Sequence, residues 1–229
     1  MKKRDTALIA LAIILLVWFL EITLSLKARS FLSLGPSRFM EIFSLAMVYG
    51  AISIIISALV LKIQGLSFKG MNRYPHTSKN SQVIIGIASG TVWAGIALFI
   101  LPILLDGLFD IPQEKKTDFQ YTFSNLSYLP LWILLAIFKA GISEELWRTT
   151  AIETFKNVFG KRGGIIAVLI GALVFSLGHY YQGWDSVIIS GLGGLVYGFL
   201  YYFRRSILEV MIAHATRDII AIVFGYLLF

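Results

Sequence analysis

Long apolar runs separated by short polar stretches dominate this chain. Each run approaches the ~20 residues a helix needs to cross a bilayer. The runs predict spans near residues 7–26, 40–62, 82–107, 127–156, 163–180, 183–203 and 206–228. The fourth is too long for one simple crossing. It is expected to start at Tyr128–Pro130, run past the membrane surface and turn amphipathic near Glu153 and Lys156. The turn between the fifth and sixth, around Tyr180–Gly183, is very short. The expected fold is therefore all-α: a polytopic membrane bundle of about seven transmembrane helices, without a soluble appendage. The first run follows KKRD and is too long for a typical signal-peptide core, with no small-x-small cleavage site. It reads as a retained span with Glu21 near its outer end, and no chemistry is assigned to it.

Composition agrees with the pattern. Of 229 residues, 57% are hydrophobic and 14% charged, where a soluble domain carries about a quarter charged. Mean hydropathy is +0.79. The net charge of +7 falls between apolar runs and not on one face of a soluble domain, so nucleic acid is not an expected partner. With the N-terminus inside, the inner basic residues are Lys2, Lys3, Arg4, Lys62, Lys69, Arg73, Lys79, Lys156, Lys161, Arg162, Arg204 and Arg205. The outer ones are Lys27, Arg29, Arg38, Lys115 and Lys116. The asymmetry predicts a cytoplasmic N-terminus in an integral, multi-pass protein of a prokaryotic cell membrane. Segment 106–126, with Asp106, Asp110, Glu114 and Asp118, becomes an outer loop. There are no cysteines, which excludes disulfides, thiolate metal sites and a cysteine nucleophile. Of three histidines, His76 lies in the polar stretch MNRYPHTSKNS.

The candidate chemistry lies inside the apolar runs. A charge at bilayer depth costs roughly 2.5 to 3.5 kcal/mol even on lenient scales, and such residues mark function by default. Glu144, Glu145 and Arg148 share the fourth run, His179 ends the fifth, and His214 and Asp218 stand i,i+4 in the last. Glu144 and Arg148 are i,i+4, and Glu145 and Arg148 are i,i+3. Arg148 can hold one carboxylate while the other stays freer to take a proton from water. The plainer alternative is a salt bridge at a helix end, with Arg148 snorkelling to the interface. Phe175 and His179 share a face, while Tyr180, Tyr181 and Trp184 suit an aromatic belt. His214 lies about 12 Å inside the membrane from Ser206. Arg217 is expected either to neutralise Glu144 or Glu145 across a helix interface or to receive a substrate carboxylate. Gly191, Gly193, Gly194 and Gly198 of the sixth run allow close helix approach and are expected to draw the fifth and seventh spans together. Lys139 and Asp185 receive no role.

Over residues 125–229 the chain resembles the CAAX protease and bacteriocin-processing (CPBP, or Abi) family of intramembrane endopeptidases. Residues 1–124 match only in being hydrophobic. The family pattern is E-E-x-x-x-R, F-x-x-x-H, then H-x-x-x-N or H-x-x-x-D on successive membrane helices. Phe175 to His179 and His214 to Asp218 fit the second and third motifs. The first, Glu144-Glu145-Leu146-Trp147-Arg148, is one residue short. If Arg148 is the family arginine, Glu144 takes the second glutamate position and Ser143 the first. If the glutamates keep their places, the arginine has moved by ~100° around the helix. The resemblance implies peptide-bond hydrolysis in a membrane-anchored or hydrophobic protein or peptide, within the lipid bilayer. In the family the first glutamate activates water. Here the expectation is that Arg148 ties Glu144 and leaves Glu145 as the base, helped by His179. His214 and Asp218 would bind the oxyanion, or Asp218 would orient His214. No cofactor is expected, although His179, His214 and Glu145 match a known zinc set and a divalent metal is the alternative. A non-catalytic scaffold or immunity relative is the competing reading, favoured by the shortened motif. A proton-coupled transporter is disfavoured, because no repeated halves with broken helices are apparent.

Overall fold

The computed structural model describes residues 3–28, 39–72, 78–105 and 125–228. Arg29, Arg38, Arg73, His76 and the acidic stretch from Asp106 to Asp118, with Lys115 and Lys116, lie outside them.

The apolar runs form helices α1 (Lys3–Ala28), α2 (Phe39–Ile63) and α3 (Lys79–Leu105). Helix α4 (Leu129–Leu135) passes through a π-helical stretch, Ala136–Glu144, into α5 (Glu145–Gly178). Helices α6 (Trp184–Arg204) and α7 (Ile207–Leu228) complete the bundle. Among the described residues there is no strand. Five segments are long and apolar enough to cross a membrane: Arg4–Leu24, Phe39–Ile63, Lys79–Leu105, Leu126–Gly178 and Trp184–Arg204. The expected fourth and fifth spans are thus one continuous segment of 53 residues. It bends at Gly160, where φ is 70° and ψ is −159°, a conformation glycine adopts without a Cβ clash.

Small residues set which helices touch. In α1, Ala10, Ile14 and Trp18 are buried, and Trp18 meets Phe155 of α5 at 5.6 Å between ring centroids. A Cβ on Gly198 of α6 would stand 2.8 Å from the Val168 side chain of α5, and one on Gly194 3.0 Å from Ala172. The sixth-span glycines therefore draw in the fifth span, as expected. The approach of α7 has another origin. A Cβ on Gly90 of α3 would lie 2.3 Å from the Ala213 carbonyl oxygen, and one on Gly141 of the π stretch 2.9 Å from that of Met211.

These contacts carry a stability prediction. Backbone cannot retreat as a flexible side chain does, so Gly90→Ala should destabilise the bundle by about 1–3 kcal/mol. Gly95→Ala, with nothing within 4 Å of the added carbon, is the control and should unfold like the wild type. Thermal unfolding in detergent compares the two.

The α6–α7 turn is a polar clasp. Arg205 takes a left-handed conformation, φ 54°. Its neighbour Arg204 donates to Glu209 twice, at 2.7 and 2.9 Å. Arg205 pairs with Glu153, which also accepts from the Tyr201 hydroxyl at 3.2 Å. Glu153 is thus buried and not part of an amphipathic surface, because its ion partner arrives from a helix distant in sequence.

Candidate active site

The π-helical stretch arranges the first part of the site. On an α-helix, residues five apart diverge by about 140°. The i→i+5 bonding of a π-helix brings them onto one face. Lys139 and Glu144 are five apart, and the Lys139 ammonium donates to Glu144 Oε1. The two side chains keep 19% and 17% of their surface exposed, a partial opening that leaves Glu144 able to meet a small molecule. Lys139 Nζ also lies 4.8 Å from the centre of the Tyr49 ring.

Glu145 is placed differently. It is fully buried, and Arg148 Nε donates to both of its oxygens, at 3.2 and 3.0 Å. The expected assignment is therefore reversed: Arg148 ties Glu145 and leaves Glu144 the freer carboxylate. The reason is the start of the α-helix at Glu145, which sets Arg148 one turn away at i,i+3. Ser143, the other candidate for the first motif position, is buried and its hydroxyl donates to the Gly50 carbonyl at 3.1 Å. The Arg148 guanidinium lies over the Phe175 ring at 4.4 Å, a cation–π contact, and its Nη1 reaches the Gly194 carbonyl at 3.5 Å.

Helix α7 brings His214 against this pair. His214 Nδ1 lies 2.7 Å from Glu145 Oε1. A carboxylate held by a guanidinium accepts, so Nδ1 carries the proton and Glu145 fixes the ring's orientation. The ring stacks on Tyr197, centroids 4.5 Å apart and planes at 26°. Nε2 then points into a gap, 3.9 Å from Glu144 Oε2 and 3.9 Å from Asp218 Oδ2. Asp218 does not orient His214, since the separation exceeds a hydrogen bond. It is held by Arg217, Nη1 to Oδ1 at 2.8 Å. Arg217 accordingly does not neutralise Glu144 or Glu145; its near counter-ion is its own neighbour in sequence.

His179 caps α5. Its Nδ1 lies 2.8 Å from the Phe175 carbonyl, which can only accept, so Nδ1 donates and Nε2 is left for other work. Phe175 meets the His179 ring at 4.6 Å, edge to face. One phenylalanine thus braces both His179 and Arg148. His179, His214 and Lys139 all act electrostatically on Glu144. All six expected residues are gathered: Glu145, Arg148 and His214 in direct contact, Glu144 and His179 beside them, and Asp218 across the gap.

Three residues that received no role or notice also stand here. A cleft beside α5 is lined by Glu21 of α1, Tyr49 of α2, Lys139, Glu144, Arg148 and Phe175. The available signal was the one used for Glu144: a charge inside an apolar run. Glu21 and Lys139 carry that signal, but lack a second motif residue at helical spacing.

A divalent ion on His179, His214 and Glu145 does not fit this arrangement. Both Glu145 oxygens accept from the Arg148 cation, and one also from His214. Among the described residues no three His, Asp or Glu side chains are grouped to hold a metal.

Residues 125–220 match the family model of the Rce1-like type II CAAX prenyl endopeptidases. Over these residues the chain is similar to an Rce1-like domain. No curated protein and no solved structure matches the chain. The matched stretch contains all six expected site residues and Lys139, whereas Glu21 and Tyr49 come from helices outside the match. Five segments long and apolar enough to cross a membrane mark the chain as an integral membrane protein, and the family likeness lies within residues 125–220.

Proposed function

We propose that the chain is an intramembrane endopeptidase that hydrolyses a peptide bond in a membrane-anchored or hydrophobic substrate, with Glu144 activating the water. One observation carries the reading: Arg148 anchors Glu145, Glu145 orients His214, and His214 Nε2 faces the half-open Glu144 across 3.9 Å. Buried polar side chains linked in series, with a partly exposed carboxylate facing their end, are costly unless used. The likeness of residues 125–220 to type II CAAX prenyl endopeptidases supports a prenylated CAAX tail as the substrate class, whose lipid would keep it in the bilayer. The basic-residue asymmetry supports a cytoplasmic N-terminus.

In the reaction, water between Glu144 and His179 gives a proton to the Glu144 carboxylate as its oxygen attacks the carbonyl carbon. The carbonyl π electrons move to oxygen, giving a tetrahedral oxyanion. His214 in its imidazolium form donates Nδ1–H to Glu145 and Nε2–H to that oxyanion, the kind of stabilisation that dominates acyl-transfer catalysis. Collapse re-forms the carbonyl, breaks the C–N bond and returns the proton from Glu144 to the leaving amine. No step is routed through a metal.

The test is cleavage of an internally quenched prenylated peptide by the purified protein in detergent or vesicles. Wild type is expected to cleave it, with activity unaffected by a chelator series. His214→Ala should lower kcat by about 10²–10³-fold, the usual loss of an oxyanion donor. The non-catalytic reading, favoured by the shortened motif and by the Lys139 ion pair on Glu144, predicts no turnover and an intact biological phenotype in the same variant.

A further inference from the structure

Helix α1 lies outside the matched domain, yet it sends a carboxylate into the site. Glu21 lines the cleft with Lys139 and Glu144. It stands within electrostatic reach of Lys139, Glu144 and Arg148. Its Oε1 also lies 3.3 Å from where a Cβ on Gly178 would sit, so the missing side chain just before His179 makes room for it. An acidic residue in an otherwise apolar span is expensive, and α1 has no other charge between Asp5 and Glu21.

The partner that makes sense of Glu21 is Lys139. An ammonium has three donors and no acceptor. One goes to Glu144, and the Tyr49 ring covers another side. We propose that Glu21 is a positioning residue for hydrolysis: it shares the Lys139 ammonium with Glu144 and so sets how firmly Lys139 restrains the carboxylate that activates water. The inference rests on the hydrolytic reading above. With Glu21 present, the ammonium that bonds Glu144 is also attracted toward α1, which weakens its hold on Glu144 and eases proton transfer to that carboxylate. Without it, Lys139 closes on Glu144 alone and the base is withheld. The N-terminal helices are then part of the working site and not merely its support.

The absence of native cysteine permits a charge-rescue experiment. In a Glu21→Cys variant the thiol is alkylated with iodoacetate, which restores a carboxylate, or with iodoacetamide, which supplies a neutral amide of nearly the same shape. Turnover of the prenylated peptide is then measured. The unmodified variant should lose about tenfold in kcat with KM unchanged, the size of a coupled-pair effect. Carboxymethylation should restore kcat to within about threefold of wild type, and carboxamidomethylation should not. In a Lys139→Met background, which should itself slow turnover by no more than about tenfold, the two adducts should turn over equally. A merely structural Glu21 would respond to shape and not to charge.

Equal activity of the two adducts in the Lys139→Met background alone supports the proposal; equal activity in both backgrounds overturns it. A rescue that persists without Lys139, or complete loss of turnover in Lys139→Met, overturns it as well. So does a thiol at position 21 that fails to react in the folded protein, since it would not face the cleft. If wild type cleaves no peptide, the hydrolytic reading falls and this proposal with it. If wild type cleaves and the charge rescue fails, only the role of Glu21 is lost.

Discussion

Glu144→Gln is expected to abolish peptide cleavage while leaving the bundle folded. The loss should be about 10²–10⁴-fold in kcat, the contribution of a positioned general base. An amide matches the shape of the carboxylate but cannot take the proton. Stability should change little, because Glu144 is partly exposed and its hydrogen-bond partner, Lys139, is partly exposed too. The measurement pairs initial rates on the quenched prenylated peptide with thermal unfolding in detergent. Glu145→Gln is the informative contrast. Glu145 is fully buried and accepts from two residues, so its loss should lower stability as well as rate. If Glu144→Gln retained wild-type turnover, the assignment of the base would be wrong.

Arg148→Met should give the largest loss of stability. The guanidinium is the cation that balances a carboxylate with no exposed surface. Removing one member of a buried pair leaves an uncompensated charge and costs about 3–5 kcal/mol. Here the loss includes the contact with the Phe175 ring, which lies 4.4 Å away. The double variant Arg148→Met/Glu145→Leu removes both charges and should recover most of that stability, since apolar replacement of a whole buried pair is often neutral. It should recover no activity, because His214 then has nothing to hold its Nδ1. Chemical or thermal unfolding of the single and double variants, alongside the peptide assay, separates the two roles. A single variant as stable as wild type would show that Glu145 is not carried as a buried charge.

Much of this site could be read from the chain because charge in an apolar run is conspicuous. Glu144, Glu145, Arg148, His179, His214 and Asp218 were all visible in that way, and all six converge. Their partners were not. Spacing in the chain points Arg217 to a carboxylate on another helix, but it bonds to Asp218 beside it. Asp218 looked suited to orient His214, yet Glu145 does so from 69 positions away in the chain. Helical spacing names the residues that share a face. It says nothing of which of two adjacent carboxylates turns toward the neighbouring helix.

Lys139 shows why local pattern reaches a limit. Its pairing with Glu144 goes with a π-helical stretch, whose Gly141 packs closely against α7. Glu21 shows the same limit over a longer range, since nothing near it in the chain marks it as lining a cleft with Lys139. Hydrophobic length and periodicity determined by themselves that this chain is an all-helical membrane bundle, and the cost of burying charge determined which side chains must meet. Tertiary structure alone decided that Glu145 is buried on Arg148 and His214 while Glu144 stays partly exposed on Lys139, and that α1 reaches the site. Those outcomes turn on contacts of a few ångströms between helices distant in the chain, where a rotation of one residue exchanges one partner for another.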